Sequence, residues 1–364
     1  MNRDAMVDTV ITNPDQVTVE WLTGVLSTGG ALTEGAVAKF DLDTGRGNWS
    51  TSASLKLHYT DGSVGTLPKR LFLKMVDADA SSSDEFFSPS EVTYYTRDYI
   101  GVEVAPLFGC YSAVFSEIQL CYHLLLNDLS ETHIEASEKA PTLEYGLALA
   151  EGLAVMQARW WGAQRLAEVD ASKHSAAHIR RFVDIAEPGA GHILERFSAE
   201  LKPHWPDMMR ALFANHPRAI IERTQDDNGF TLIHGDTGQT NILVPRDGDR
   251  PIYIIDRQPF DWSLTIWLGV YGLARAIVLD WEVDARRRLE IPILKHYHEW
   301  LLKSDVTGYT WERLYDDYRL PVAMGVYIAT EYCRSGVHER MRWLWMAMLQ
   351  RSLTACDDLD CSEL

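Results

Sequence analysis

Two oxygen-bearing side chains stand five residues apart in His234-Gly235-Asp236-Thr237-Gly238-Gln239-Thr240-Asn241-Ile242-Leu243. A third, Asp256, closes the apolar run Ile252-Tyr253-Ile254-Ile255, fifteen residues past Asn241. An ionised carboxylate can aim a hydroxyl and accept its proton. An amide and a carboxylate are hard oxygen donors of the kind that hold Mg²⁺. Phosphoryl transfer needs little covalent help beyond these: a group that orients the attacking oxygen, and metal charge against the phosphates. The pattern gives the first task to Asp236 and the second to Asn241 and Asp256. A loop lets residues 236 and 241 face one side, and a strand over 252–255 would fix Asp256. The competing reading is a surface turn, with His234 a bonded core residue.

The order His-Gly-Asp, four residues, Asn-Ile-Leu, then an apolar strand ending in Asp resembles the catalytic loop and metal-binding aspartate of the aminoglycoside phosphotransferase and choline kinase superfamily. These are small-molecule relatives of the protein kinases. The resemblance implies an α+β, protein-kinase-like fold. It has a small N-lobe, with a five-stranded antiparallel sheet plus one helix, and a larger, mainly helical C-lobe. It also implies ATP and Mg²⁺ as cofactors, with Asp236 catalytic and Asn241 and Asp256 on the metal. A lysine on the third strand should hold the α- and β-phosphates. Lys74, in Leu71-Phe72-Leu73-Lys74-Met75, stands there. Its expected ion-pair partner on the next helix is Glu91, with Glu85 as the alternative.

The same resemblance places a phosphate-covering loop at 45–52, with Gly45, Gly47, Asn48 and Ser50 as nucleotide contacts. It is not a Walker A loop, because no Gly-Lys-Ser/Thr follows. Leu124-Leu125-Leu126-Asn127-Asp128-Leu129-Ser130 takes the place of the interlobe hinge, with Asn127 and Leu129 beside the adenine. Motif-level similarity spans residues 40–281. The Asp256-Arg257-Gln258 ending and the Ser88-Pro89-Ser90-Glu91 helix start are similar to the ecdysteroid-kinase-like branch. Three departures stand out. Gln157 replaces a common His, Asn127 a frequent Glu, and Gly272 an aspartate whose structural role falls to Asp261.

What the resemblance implies is a phosphotransferase with an alcohol group as acceptor. Asp261, Trp262, Trp267 and Glu331 are candidates for lining the acceptor pocket. Arg257 is a candidate for a phosphate or a substrate anion, or for a salt bridge to a neighbouring carboxylate. The 12 Trp and 15 Tyr could stack on an organic cation, although such side chains more often fill cores. Two other readings stay open: a degenerate module that binds nucleotide without transfer, and a nucleotidyl transferase on the same scaffold. A protein kinase is disfavoured, since no Asp-Phe-Gly follows the metal strand and no Ala-Pro-Glu precedes a later helix.

The positioning elements are readable from periodicity. Helical spacing over 18–26 stops at Gly29-Gly30. Strands are predicted over 36–43, 52–59, 70–76, 110–115 and 122–126. One helix should start at Ser88-Pro89-Ser90-Glu91 and run through Tyr94, Tyr95 and Tyr99 to Gly101. Beyond Asp128 the spacing is helical, beginning with 142–161, and is interrupted by loop and short strands over 230–244 and 251–256. A nucleotide-binding lobe of 1–127 and a helical lobe of 128–364 follow, the latter holding the catalytic loop and substrate pocket. With 46% hydrophobic and 24% charged residues, the 364-residue composition is that of a soluble globular protein. A net charge of −18 argues against nucleic acid as a partner. No apolar run is long enough to span a membrane, and residues 1–9 lack a signal-peptide core. Five scattered cysteines fit reduced thiols in the cytoplasm. Oligomeric state and the identity of the acceptor are not encoded in any of these patterns.

Overall fold

The computed structural model of the chain describes residues 9–46, 50–76, 88–169, 171–260 and 262–361. The chain forms two compact units. One comprises Met1–Gly101, Leu107–His133 and Pro259–Asp261, the other Val102–Pro106, Ile134–Gln258 and Trp262–Leu364. The first therefore runs a few residues past 127 and takes in a short returning segment.

In the first unit five antiparallel strands lie in the spatial order Val37–Arg46, Thr51–Tyr59, Arg70–Val76, Cys121–Asn127, Cys110–Ser116. Alternation explains the Thr51–Tyr59 strand: Ala53, Leu55 and Leu57 are buried, while Lys56 faces solvent. That face packs on Trp21, Leu22, Val25 and Leu26 of the helix Val19–Thr28. Thr18 caps this helix by accepting the Trp21 N–H, and Gly30, at φ 72°, supplies the left-handed turn that ends it. Cys121–Asn127 is buried on both faces. Leu125 joins the helix-side core, whereas Tyr122, Leu124 and Leu126 join a second core with Val76 and Val92.

The helix after the third strand departs from expectation. It has one α-helical stretch, Ser90–Thr93, and then a π-helix, Tyr94–Asp98, so it stops short of Gly101. Pro89 is the N-cap and receives no side-chain bond; Ser88 Oγ instead accepts the Ser90 N–H at 3.3 Å. The wider turn suits Thr93 and Asp98, five residues apart, which bond at 3.1 Å while Arg97 pairs with the same buried carboxylate at 2.8 Å. A second small sheet, Leu32–Glu34 with Val64–Gly65, was not foreseen from periodicity.

The second unit is mainly helical. Its long helices include Leu143–Arg159, Ala176–Phe197, Trp205–Arg223, Val283–Lys303, Trp311–Glu331 and Arg342–Asp358. Tyr271–Asp280 is buried almost all round, as a helix apolar on every side must be. Short strands interrupt the helices. Phe230–Leu232 pairs antiparallel with Ile266–Leu268, and Ile242–Pro245 is the middle strand of three, antiparallel to Tyr253–Ile254 and with His133–Glu135 on its other side. Among the described residues no helix is long and apolar enough to cross a membrane.

Several buried or half-buried histidines are held neutral. His123 accepts the Ile11 N–H at Nδ1 (3.0 Å), and burial pushes it down to about 4. His174 Nε2 accepts the N–H groups of Thr265 and Ile266, and burial, with His178 stacked on it, also brings it to about 4. His216 is pushed by burial to about 3. An unfolded histidine titrates near 6.5, so below that pH the unfolded chain binds protons that the folded chain refuses. Stability should be complete above pH 6.5 and fall towards pH 4, by about 1.4 kcal/mol per pH unit for each proton taken up. Urea unfolding at pH 7, 6 and 5 checks this; an unchanged midpoint between pH 7 and 5 would exclude it.

Candidate active site

The loop after Phe230–Leu232 is built by four anchors. Ile233 N–H donates to Thr265 O, holding the loop's start against the neighbouring strand. Gly235 has φ 88°, and a Cβ there would lie 2.7 Å from Gln258 Cβ, so both conformation and space require glycine. Thr237 is fully buried and donates its hydroxyl to Gly272 O at 2.7 Å. Gln239 N–H donates to Asp280 Oδ2 at 2.7 Å. Asn241 then closes the loop on itself: its Nδ2 donates to both Asp236 O and Asp236 Oδ2, each at 3.0 Å. With both amide hydrogens turned to Asp236, the Oδ1 of Asn241 is presented on the other side as an acceptor.

Asp256 follows the two-residue strand Tyr253–Ile254, shorter than the predicted 252–255. Ile242 pairs with Ile254, and Ile255 N–H donates to Asn241 O at 2.9 Å. Asp256 is thus the next residue beyond that bond, and it turns the chain at φ 58°. A non-glycine residue in this region costs about 1–2 kcal/mol, and aspartate is among the few that visit it routinely. The donor set is one amide and one carboxylate. Among the described residues no cluster of three or more His, Cys, Asp and Glu side chains could hold a metal unaided. Mg²⁺, which keeps waters and phosphate oxygens as ligands, fits a set of this size.

His234 is a buried core residue, as the competing reading had it, and it also serves the loop. Its Nδ1 accepts the Asp236 N–H at 3.3 Å, and burial, with the Arg257 charge, pushes it down to about 3. Arg257 is 2% exposed and lies beside His234, which places it in the interior and not on a substrate surface. Two residues that hold this loop escaped the sequence reading. Arg275 Nη2 donates to Asp236 Oδ1 at 3.2 Å, and its Nη1 donates to Asp280 Oδ2 at 3.4 Å. Burial pushes the Asp280 carboxyl up, and the Arg275 charge opposes that rise. Asp280 holds the loop amide of Gln239. Both residues interrupt an apolar run, Leu273-Ala274-Arg275-Ala276-Ile277-Val278-Leu279-Asp280, and a buried charge requires a partner. That was the available signal. Gln157 is bonded within the helical interior, accepting the Tyr297 hydroxyl at 2.5 Å through Oε1.

In the first unit Lys74 Nζ lies 2.8 and 2.9 Å from the two Glu91 oxygens. The side chains are 13% and 1% exposed. Tyr122 hydroxyl donates to Glu91 Oε2, so the carboxylate is fixed from two directions. Arg70–Val76 is the middle strand of five, so Lys74 is not an edge-strand charge. Gly45 pairs with Ser52, and a Cβ at Gly45 would meet Ser52 Oγ at 3.0 Å; Ser50 immediately precedes the next strand. Gly47, Asn48, Glu85 and Asp261 lie outside the described residues. Asn127 ends its strand with Oδ1 accepting the Tyr111 hydroxyl (2.8 Å) and its N–H donating to Gly109 O (2.9 Å). Leu129 O accepts the N–H groups of Thr132 and His133 at 2.9 Å each. These groups close a turn.

The pocket candidates divide. Trp267 is 1% exposed and packs edge-on against Phe230, so it is a core residue. Trp262 is half-buried against Phe182, and Glu331 pairs with Arg334 at 3.3 Å.

No family model matches this chain, and no curated protein matches it in sequence. Solved structures do match. A microcompartment-associated aminopropanol kinase superposes with a TM-score of 0.57 at 14% identity, covering 93% of this chain and 99% of that one. The Plasmodium vivax ethanolamine kinase gives 0.54 at 12% identity, covering 95% and 90%. A choline kinase from Cryptosporidium parvum gives 0.54 at 8% identity, covering 88% and 91%. The chain has the protein-kinase-like fold of these proteins. The ecdysteroid-kinase-like branch is not singled out among them.

The Thr237 bond to Gly272 ties this loop to the core of that fold. Thr237→Val keeps the shape and removes the donor, leaving a buried carbonyl without it. Such a loss costs about 1–3 kcal/mol. Urea unfolding of the variant should show that decrease; a stability equal to the parent would mean the anchor is dispensable.

Proposed function

We propose that the chain is an ATP-dependent kinase that moves the γ-phosphate to a hydroxyl of a small molecule. The observation that carries this reading is the closed loop in which Asn241 grips Asp236 through one end of its amide and offers Oδ1 from the other. Asp236, with its side chain about a third exposed (37%), is the group that receives the acceptor hydroxyl. The hydroxyl oxygen attacks the γ-phosphorus in line, the bond to the ADP oxygen breaks, and the hydroxyl proton passes to Asp236. Mg²⁺ bound with the nucleotide would neutralise phosphate charge, and Asn241 Oδ1 and Asp256 would hold it. Lys74, paired with the Glu91 carboxylate that Tyr122 also holds, is assigned to the α- and β-phosphates. The N-terminal lobe, 1–127, is read as nucleotide-binding and 128–364 as catalytic and acceptor-binding. Gly45 and Ser50 are proposed as contacts of the phosphate-covering loop, and the backbone near Asn127 and Leu129 as the adenine side.

Structural neighbours support the substrate class. One is a glucosamine kinase in complex with glucosamine, ADP and inorganic phosphate, with a TM-score of 0.52 at 12% identity. Their named acceptors are small hydroxylated amines, and this is the class proposed here.

Purified chain with ATP and Mg²⁺ should release ADP when screened against amino alcohols, amino sugars and related hydroxyl compounds. Asp236→Ala should lower kcat by about 10²–10⁴-fold, the usual worth of a positioned acid or base, while its unfolding midpoint stays near the parent's. Pyrophosphate as product would make the chain a nucleotidyl transferase. ATP binding without turnover of any acceptor would make it a binding module.

A further inference from the structure

We infer that Arg275 is a positioning residue for the transfer, acting through Asp236. This rests on the reading of Asp236 as the group that receives the acceptor hydroxyl. Arg275 reaches Asp236 from the helix Tyr271–Asp280, where it is the one strongly basic side chain. Its guanidinium is a fork. Nη2 meets Asp236 Oδ1 at 3.2 Å and Nη1 meets Asp280 Oδ2 at 3.4 Å. Its side chain is 9% exposed and that of Asp280 is 4% exposed, so the pair is sheltered from solvent screening. Asp280 in turn receives the Gln239 N–H, so one buried carboxylate fixes both the arginine and the backbone of the loop that carries Asp236.

The loop leaves room for this contact. A Cβ on Gly238 would lie 2.9 Å from Arg275 Nη2 and 3.4 Å from Cζ. The guanidinium therefore packs against the bare backbone at 238, in the middle of the loop whose ends are Asp236 and Asn241. Asp236 is consequently held by a different donor at each oxygen, Arg275 at Oδ1 and Asn241 at Oδ2. A carboxylate bonded at one oxygen can swing about its Cβ–Cγ bond. Bonded at both, it has a fixed plane, and the lone pairs left on its oxygens point in set directions. Arg275 thus defines the direction from which the acceptor hydroxyl must approach. The carboxylates that act most strongly on Arg275 are Asp280 and Asp236, with Tyr271 and Tyr332 in the same neighbourhood.

Arg275→Met alone strands a buried carboxylate at 280, so the informative variant is Arg275→Met with Asp280→Asn. The asparagine keeps an acceptor for the Gln239 N–H. Asp280→Asn alone is the reference, and Arg275→Lys is the conservative partner. Two measurements are made on each full-length variant: ADP release with the best acceptor found for the parent, and a crystal structure. Relative to Asp280→Asn, the double variant should lose about 10- to 100-fold in kcat, the scale of a misplaced reacting group. Its KM for ATP should stay within about threefold, because the clamp touches no nucleotide-binding residue. Arg275→Lys should recover part of the rate. The structure should show the Asp236 carboxylate turned or spread over more than one orientation. Equal kcat in the double variant and its reference, or an unmoved Asp236 carboxylate, overturns the inference. If the parent releases no ADP with any acceptor, the kinase reading fails separately, and the orientation of Asp236 still decides whether Arg275 sets it.

Discussion

The structure of the candidate site depends on one amide. Asn241 donates twice to Asp236, once to its backbone oxygen and once to its carboxylate. The backbone bond sets the span of the loop, and the carboxylate bond sets the side chain at its start. The same two bonds turn the amide oxygen away, and so create the acceptor that a metal would use. On the proposed function, a single side chain thereby couples the group that would orient the hydroxyl to the oxygen that would hold the metal. Asparagine is uncharged, and its size alone would not do this; its bifunctional end does. Leucine would fill the space without either of the two bonds, and aspartate would set two carboxylates against each other.

Around this amide the second unit spends its buried polar groups on holding one loop still. Thr237 reaches the carbonyl of Gly272, Gln239 reaches Asp280, and His234 takes the amide of Asp236. Each donor or acceptor is buried or half-buried, where an unmet partner is costly and a met one is rigid. The glycines serve the same end by removing atoms. Gly235 lets the chain turn against Gln258, and Gly238 admits the Arg275 guanidinium. A catalytic group oriented to within fractions of an ångström needs such support, because a small misplacement lowers the rate far more than it lowers stability.

Much of this was legible in the residues. The apolar alternation of 52–59 and the buried run 70–76 located two strands to within a residue at each end. The spacing of Asp236, Asn241 and Asp256 named the polar loop and the strand that follows it. Lys74 and Glu91 form the expected ion pair because a charge among Leu71, Leu73 and Met75 must have a partner. Other features were hidden for physical reasons. The π-helix at Tyr94–Asp98 comes from a side-chain bond five residues apart, and periodicity does not report it. The strand Ile266–Leu268 is three residues long and too short to show alternation. Arg275 and Asp280 show in sequence only as charges in an apolar run; their partners, some forty positions away, do not show there. Trp267 illustrates the reverse error: an aromatic near the motif in sequence is packed against Phe230 in the core.

The most direct test of the account is the metal dependence of nucleotide binding. A non-hydrolysable ATP analogue is titrated calorimetrically into the parent and into Asp256→Asn, each with and without Mg²⁺. Asparagine keeps the shape of Asp256 and its tolerance for the left-handed backbone, so the variant removes charge alone. The account predicts that Mg²⁺ tightens binding to the parent at least about tenfold and does little for the variant, as expected of a carboxylate donor to a phosphate-bound cation. Equal affinity for the analogue with and without Mg²⁺ in the parent would contradict it.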